Sequence, residues 1–301
     1  MKVQANGLDI EVVVDEPANG ADAATAPTVL LVMGLGMQLI AWPDVLVRAL
    51  TGAGYRVIRF DNRDIGLSQK TNARVPNLAL LTIRYRLGMT THADYTLRDM
   101  VEDARGVLDA LGVARCHVVG ASMGGMIAQG LAASHPDRVR SLTSIMSTTG
   151  ARRLPKATPR ASMAFIARPR SHRRDDVIEH FARFLAVIGS PRFPTPLSEL
   201  RERVGTAYDR CYEPRGTSKQ LAAIIASGDR SAEVRSITVP TLVIHGADDP
   251  LVPLENGEDT ARKIRGARLE VIPGMGHDFG AIVPIIDKLL PFLRQVNGRG
   301  T

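Results

Sequence analysis

The chain has 301 residues, 45% of them hydrophobic and 23% charged, which excludes disordered and fibrous classes and leaves room for a substantial buried core. Its formal net charge of +7 raises the question of an anionic polymer as partner, but residues 151–235 alone hold 17 Lys plus Arg against 9 Asp plus Glu. Those cations are mostly Arg scattered among Pro and Ala, and with 4% aromatic residues in the chain a solvated Arg-rich surface is expected rather than a stacking platform for nucleic acid.

The amino terminus, Met1–Gly7, lacks the apolar core of a signal peptide, and no run approaches the ~20 apolar residues of a membrane span. A cytoplasmic location without a membrane span is therefore expected. Lys2–Ala5 and Asp9–Val14 read as two strands joined by Asn6-Gly7, a hairpin signal. After Pro27, the continuous apolar run Thr28–Met33 suits a strand buried on both faces, and it ends in Gly34-Leu35-Gly36. Pro43–Ala53 carries a helical pattern, Arg56–Phe60 is the next strand, and Asp61–Ser68 is the loop after it. A helix is expected from Thr96, with Asp99 three residues on and Leu97, Met100, Val101, Ala104, Val107 and Leu108 at helical spacing, until Gly112. Cys116–Val119 is a strand, a helix follows to Ser134, and Val139–Met146 is another strand.

Between residues 147 and 232 the alternation fails. Seven prolines interrupt amphipathic pieces such as Val177–Ile188 and Leu197–Ala207, and no convincing strand occurs. Regular structure resumes with strands at Val239–His245 and Leu269–Ile272 and a terminal helix at Ala281–Val296. The alternation implies an α/β fold with right-handed crossovers: a mostly parallel, eight-stranded sheet flanked by helices, with an inserted helical cap. The core domain is assigned to 1–146 and 233–301, and the cap to 147–232, lying over the carboxyl end of the sheet where ligands bind in open α/β folds. Cys116 at a strand start and Cys211 in a polar helical region are expected as free thiols.

The strand at Cys116 runs into Gly120-Ala121-Ser122-Met123-Gly124, the pattern of a nucleophile elbow. A serine on so tight a turn requires neighbours without β-carbons, which Gly120 and Gly124 supply. A serine hydroxyl is a poor nucleophile, so it needs a base within reach and an acid to orient that base, in the chain order Ser, Asp or Glu, His. The strand ending at His245 is followed by Gly246-Ala247-Asp248-Asp249-Pro250, and the one ending at Ile272 by Pro273-Gly274-Met275-Gly276-His277. The order alone leaves both Asp248 and Asp249 open. His92, His117, His135, His172 and His180 are read as structural. No clustered ligands at metal spacing appear, and Gly34-Leu35-Gly36 lacks the third glycine of a dinucleotide site, so neither metal nor organic cofactor is expected.

On these motifs the chain resembles the α/β-hydrolase superfamily over nearly its whole length. The family motif His-Gly-x-x-Asp-x-x-Val-Pro, met by His245–Pro253, implies Asp249 as the acid, and Gly-x-Gly-His implies His277 as the base. The resemblance implies an oxyanion hole made by the backbone N–H groups of Leu35 and Met123, with Met33 where many relatives have histidine and Gly36 as the less favoured donor. Val32–Met37 with Ala41-Trp42-Pro43, together with Phe60–Ser68, is similar to bacterial serine hydrolases such as the anthracycline (aclacinomycin) methyl esterases.

That similarity implies a serine carboxylic-ester hydrolase acting through an acyl-enzyme on small to medium apolar esters, with a small-molecule ester as its partner. The alternatives are a proline-type aminopeptidase or lactonase on the same triad, and a non-catalytic, receptor-like ligand binder. Met33, Leu35, Met37, Met123 and Met126 either line an acyl pocket or fill the core. Trp42 either walls that pocket or packs the first helix.

Overall fold

The computed structural model describes residues 1–298 except 19, 21, 23 and 24. Its strands are β1 (Lys2–Ala5), β2 (Leu8–Asp15), β3 (Thr28–Val32), β4 (Arg56–Phe60), β5 (Cys116–Ala121), β6 (Val139–Ile145), β7 (Thr241–Gly246) and β8 (Arg268–Ile272). They form one eight-stranded sheet in the order β1-β2-β4-β3-β5-β6-β7-β8. β1, β2 and β4 pair antiparallel, and every other neighbouring pair is parallel, as the alternation of elements implied. Asn6 and Gly7, at φ 49° and 75°, make the expected hairpin turn.

The helices are α1 (Asp44–Gly52), α2 (Leu78–Arg86), α3 (Leu97–Ala110), α4 (Met123–Ser134), α5 (Pro159–Ile166), α6 (Arg174–Ile188), α7 (Leu197–Arg210), α8 (Pro214–Ser227), α9 (Ser231–Arg235), α10 (Glu255–Lys263) and α11 (Ile282–Gly298). Because successive strand residues face opposite sides, β3 sends Leu31 into one core with Leu46 and Leu50 of α1 and Leu289 and Leu293 of α11. It sends Leu30 into the other, with Val101 and Val107 of α3 and Ile127 and Leu131 of α4. β3 and β5 are buried along their whole length, which explains why they read as unbroken apolar runs rather than alternating ones. α3 starts as expected, with the Asp99 carboxylate accepting the Thr96 N–H at 2.8 Å.

Between β6 and β7 the described chain contains helices α5 to α9 and no strand. α9 straddles residue 232 and packs on α4 and α10. Cys116 and Cys211 are both free, and burial pushes the Cys116 thiol up to about 12. Among the described residues no helix is long and apolar enough to cross a membrane. Since β3 to β8 run parallel, their carboxyl ends at Val32, Phe60, Ala121, Ile145, Gly246 and Ile272 share one edge. The loops leaving that edge build the site.

Candidate active site

β5 ends at Ala121 and α4 begins at Met123, so Ser122 alone makes the turn, at φ 55° and ψ −119°. Such a conformation costs a non-glycine residue on the order of 1–3 kcal/mol and persists only where its surroundings enforce it. Ser122 N–H donates to the Ile145 carbonyl at 2.9 Å, and the Ser147 hydroxyl donates to the Ser122 carbonyl at 2.8 Å. A β-carbon at Gly120 would stand 2.1 Å from the Gly124 carbonyl oxygen, and one at Gly124 only 1.9 Å from that of Val32. Both glycines are therefore required by the closeness of the backbone.

His277 Nε2 lies 3.0 Å from Ser122 Oγ, and its Nδ1 lies 2.7 Å from Asp249 Oδ2. A carboxylate can only accept, so Nδ1 carries the hydrogen and the Nε2 lone pair faces the hydroxyl. The other Asp249 oxygen accepts the N–H groups of Leu251 and Val252 at 2.9 and 2.8 Å, which fixes the carboxylate in place. Asp248 points elsewhere, taking the Gly274 N–H at 2.8 Å. Beneath the pair, His245 Nε2 donates to the Val252 carbonyl at 2.7 Å and stands 3.7 Å from Asp249 Oδ2. Burial pushes the His245 imidazole below its usual range, which keeps it neutral under the carboxylate.

Gly34 lies against the serine: a β-carbon there would be 3.3 Å from Ser122 Cβ. The next N–H, on Leu35, has no acceptor among the described residues, and neither has that of Met123, which opens α4 and which the helix cannot satisfy. The loop carrying Leu35 is pinned at three points. Asn62 Nδ2 donates to the Met33 carbonyl at 2.9 Å, Gly36 N–H to Gln220 Oε1 at 2.9 Å, and Leu39 N–H to Asp61 Oδ1 at 2.7 Å.

The six side chains considered for a pocket separate, with Leu35 half-buried against the core beside α3 and α4. Met33 and Trp42 pack in the core beside α1 and α11, with the Trp42 ring centroid 5.1 Å from that of Phe279, two residues past His277. Met123 and Met126 are buried in the opposite core, and Met37 is exposed.

Several residues that sequence reasoning did not single out hold the loops together. The segment between β6 and β7 bonds to four of them. Thr158 N–H donates to the Pro250 carbonyl at 2.8 Å, beside Asp249, and His277 N–H donates to the Ile188 carbonyl at 2.7 Å. Gly276 N–H donates to Ser190 Oγ at 2.9 Å. Gln38 Nε2 reaches the carbonyls of Ala207 and Cys211 at 2.7 and 2.8 Å, and Arg210 bonds the buried Asp61 carboxylate at 2.7 Å. A signal for Asp61 and Asn62 was present: Asp61-Asn62-Arg63-Asp64 is a run of four polar residues directly after β4 at the carboxyl edge of the sheet, and in the fold all four are buried. Gln220 and Ser147 carry no comparable signal.

A hydroxyl beside an imidazole whose far N–H is held by a carboxylate can lose its proton as it attacks an electrophilic carbon. Residues 27–280 match the family described as the alpha/beta hydrolase fold. The chain is 28% identical over 280 residues to rhodomycin D methylesterase DnrP of Streptomyces peucetius, covering 85% of this chain and 86% of that protein. It is 29% identical over 293 residues to the putative carbamate hydrolase RutD of Variovorax paradoxus, covering 92% and 95%. The solved enol-lactonase of Burkholderia xenovorans superimposes with a TM-score of 0.72 at 23% identity, over 98% of this chain and 100% of that one, a likeness of fold.

Proposed function

The chain belongs to the α/β-hydrolase fold family, and from that premise we propose that it is a serine carboxylic-ester hydrolase working through an acyl-enzyme. The carrying observation is the relay from Ser122 Oγ through His277 to Asp249, at 3.0 and 2.7 Å. In this reading His277 Nε2 takes the Ser122 proton as the oxygen attacks the ester carbonyl, while Asp249 holds the tautomer and stabilises the imidazolium. The N–H groups of Leu35 and Met123 hold the oxyanion, a contribution of about 3–4 kcal/mol for one donor in comparable sites. His277 then protonates the leaving alcohol and activates water for deacylation.

Helices from residues 147–232 act as a cap over the core formed by 1–146 and 233–301. Support comes from the bonds that α7 and α8 make to the loop after β3. The similarity to a rhodomycin D methylesterase favours methyl esters of apolar acids as substrates. A carbamate is the second reading, favoured by the likeness to a putative carbamate hydrolase, since the same nucleophile and oxyanion donors serve either carbonyl.

Rapid mixing with p-nitrophenyl acetate tests the proposal. A nitrophenol burst equal to the enzyme concentration is expected, absent in Ser122→Ala. Full turnover by Ser122→Ala overturns it, and the absence of any burst or turnover favours a ligand-binding role. Methyl esters, carbamates, lactones and prolyl amides compared by kcat/KM then rank the substrate classes.

A further inference from the structure

We propose that the face built by α2 and by residues 150–173 docks on the surface of an anionic lipid bilayer. This inference is independent of the reaction at Ser122. Residues 65–93 and 147–174 contain no Asp or Glu, yet together they carry 12 Lys plus Arg. Distant in sequence, they meet in space where the end of α2 reaches residues 150–156. The Tyr85 hydroxyl at the end of α2 donates to the Gly150 carbonyl at 2.9 Å, and the Arg152 guanidinium lies 5.5 Å from the Tyr85 ring centroid. Lys156 is close enough to Arg86 that, after partial burial, this neighbouring cation further lowers its ammonium pKa below the usual range.

The same two segments expose large apolar side chains. Ile83 is 54% and Leu87 71% accessible at α2, and Met163 is 64% and Ile166 75% accessible on α5. α2 buries only Leu81, so it is a helix with an unpartnered apolar side. Five of these cations also lack an anionic partner. Among the described residues Arg153, Arg160, Arg168, Arg170 and Arg173 have no carboxylate within salt-bridge distance. In contrast, the arginines of α6 and α7 are matched: Arg174 with Asp209, Arg183 and Arg201 with Glu179, and Arg203 with Glu199.

Charge complementarity identifies the occupant. A second copy of this face would set cation against cation, which is repulsive. A nucleic acid would satisfy the guanidinium groups but leave Ile83, Leu87 and Ile166 in water. At an anionic bilayer the apolar side chains enter the boundary between headgroups and acyl chains, and the arginines meet the phosphates.

Co-sedimentation of the whole chain with phosphatidylcholine vesicles, with and without phosphatidylglycerol, tests this. Pelleting is expected with the anionic vesicles, about tenfold weaker without phosphatidylglycerol and weaker in high salt. Ile83→Glu combined with Ile166→Glu, and separately Arg168→Glu combined with Arg170→Glu, each reduce binding about tenfold with an unchanged circular-dichroism melt. The proposal is overturned by no pelleting on anionic vesicles, by equal pelleting on both kinds, or by Ile-to-Glu variants that bind like the parent. RNA retention that survives the Ile-to-Glu changes, without vesicle binding, assigns the face to nucleic acid and overturns it as well.

Discussion

The side-chain oxygen of Gln220 accepts the backbone N–H of Gly36 at 2.9 Å across 184 residues of sequence, while its amide donates to the Arg63 carbonyl at 2.8 Å. Gln220 is fully buried on α8 and touches none of Ser122, Asp249 or His277 through a hydrogen bond. It acts on the loop that presents Leu35. Gln220→Ala is expected to lower stability by about 1–3 kcal/mol, since a half-buried N–H and a buried carbonyl lose their partner. It also lets Leu35, the proposed oxyanion donor, drift, so kcat is expected to fall about tenfold or more with KM little changed. Thermal melts and steady-state kinetics on one ester measure both effects.

The two adjacent aspartates separate cleanly by substitution. Asp249→Asn leaves the shape intact but offers an amide to His277 Nδ1, favouring the wrong tautomer, and kcat is expected to fall on the order of 10⁴-fold. Asp248→Asn affects only a bond to Gly274 and is expected to leave kcat within a few-fold. Turnover of p-nitrophenyl acetate by both variants reads the difference.

His117 gives the fold an acid-sensitive support. Its Nδ1 lies 2.7 Å from Ser141 Oγ and its Nε2 2.9 Å from Asn297 Oδ1, joining β5 to the end of α11. Burial lowers its pKa from 6.5 to about 4. The unfolded chain therefore takes up the proton first as pH falls, so the contribution is fully present above pH 6.5 and is lost on the way down to about 4, amounting to about 3 kcal/mol. In His117→Asn this part of the acid destabilisation disappears. Urea midpoints of parent and variant are expected to converge as pH drops from neutral.

Arg230 is a buried cation that makes no salt bridge among the described residues, although the Glu233 and Asp229 carboxylates act on it from further off. Its guanidinium donates to the Met126 carbonyl at 3.0 Å, Gln129 Oε1 at 3.0 Å and the Thr148 carbonyl at 2.6 Å, fastening the start of α9 to α4 and the strap after β6. Burial lowers its pKa to about 10, so it stays charged at neutral pH. Arg230→Met keeps much of the volume but strands three acceptors, and a loss of about 2–4 kcal/mol is expected. A lower urea midpoint with an unchanged slope verifies it.

The strands were legible because β3, β5 and β7 are buried throughout and read as apolar runs. Two helices outside the segment between β6 and β7 were not. α10 buries Asn256, Gly257, Asp259 and Thr260, so its inward face is polar and shows no apolar stripe. Gly257 is there because a β-carbon would stand 2.5 Å from His245 Nδ1. α2 fails for the opposite reason, with apolar residues on all sides and only Leu81 buried. At the site, strand order pointed to two aspartates, and what separates them is a backbone turn that gives Asp249 the N–H groups of Leu251 and Val252. Gln220 was invisible because its partner is a main-chain group in another element, and a main-chain group leaves no residue-type signal.

Thr158, Ile188, Ser190 and Gln220 bond to Pro250, His277, Gly276 and Gly36 from within the segment between β6 and β7. That segment is consequently not an exchangeable cassette. A chimaera that replaces it with foreign helices retains Ser122, Asp249 and His277 in the chain but severs the supports of three of the loops around them. Selectivity and turnover are therefore expected to change together in such a graft unless those four anchoring positions are carried into it.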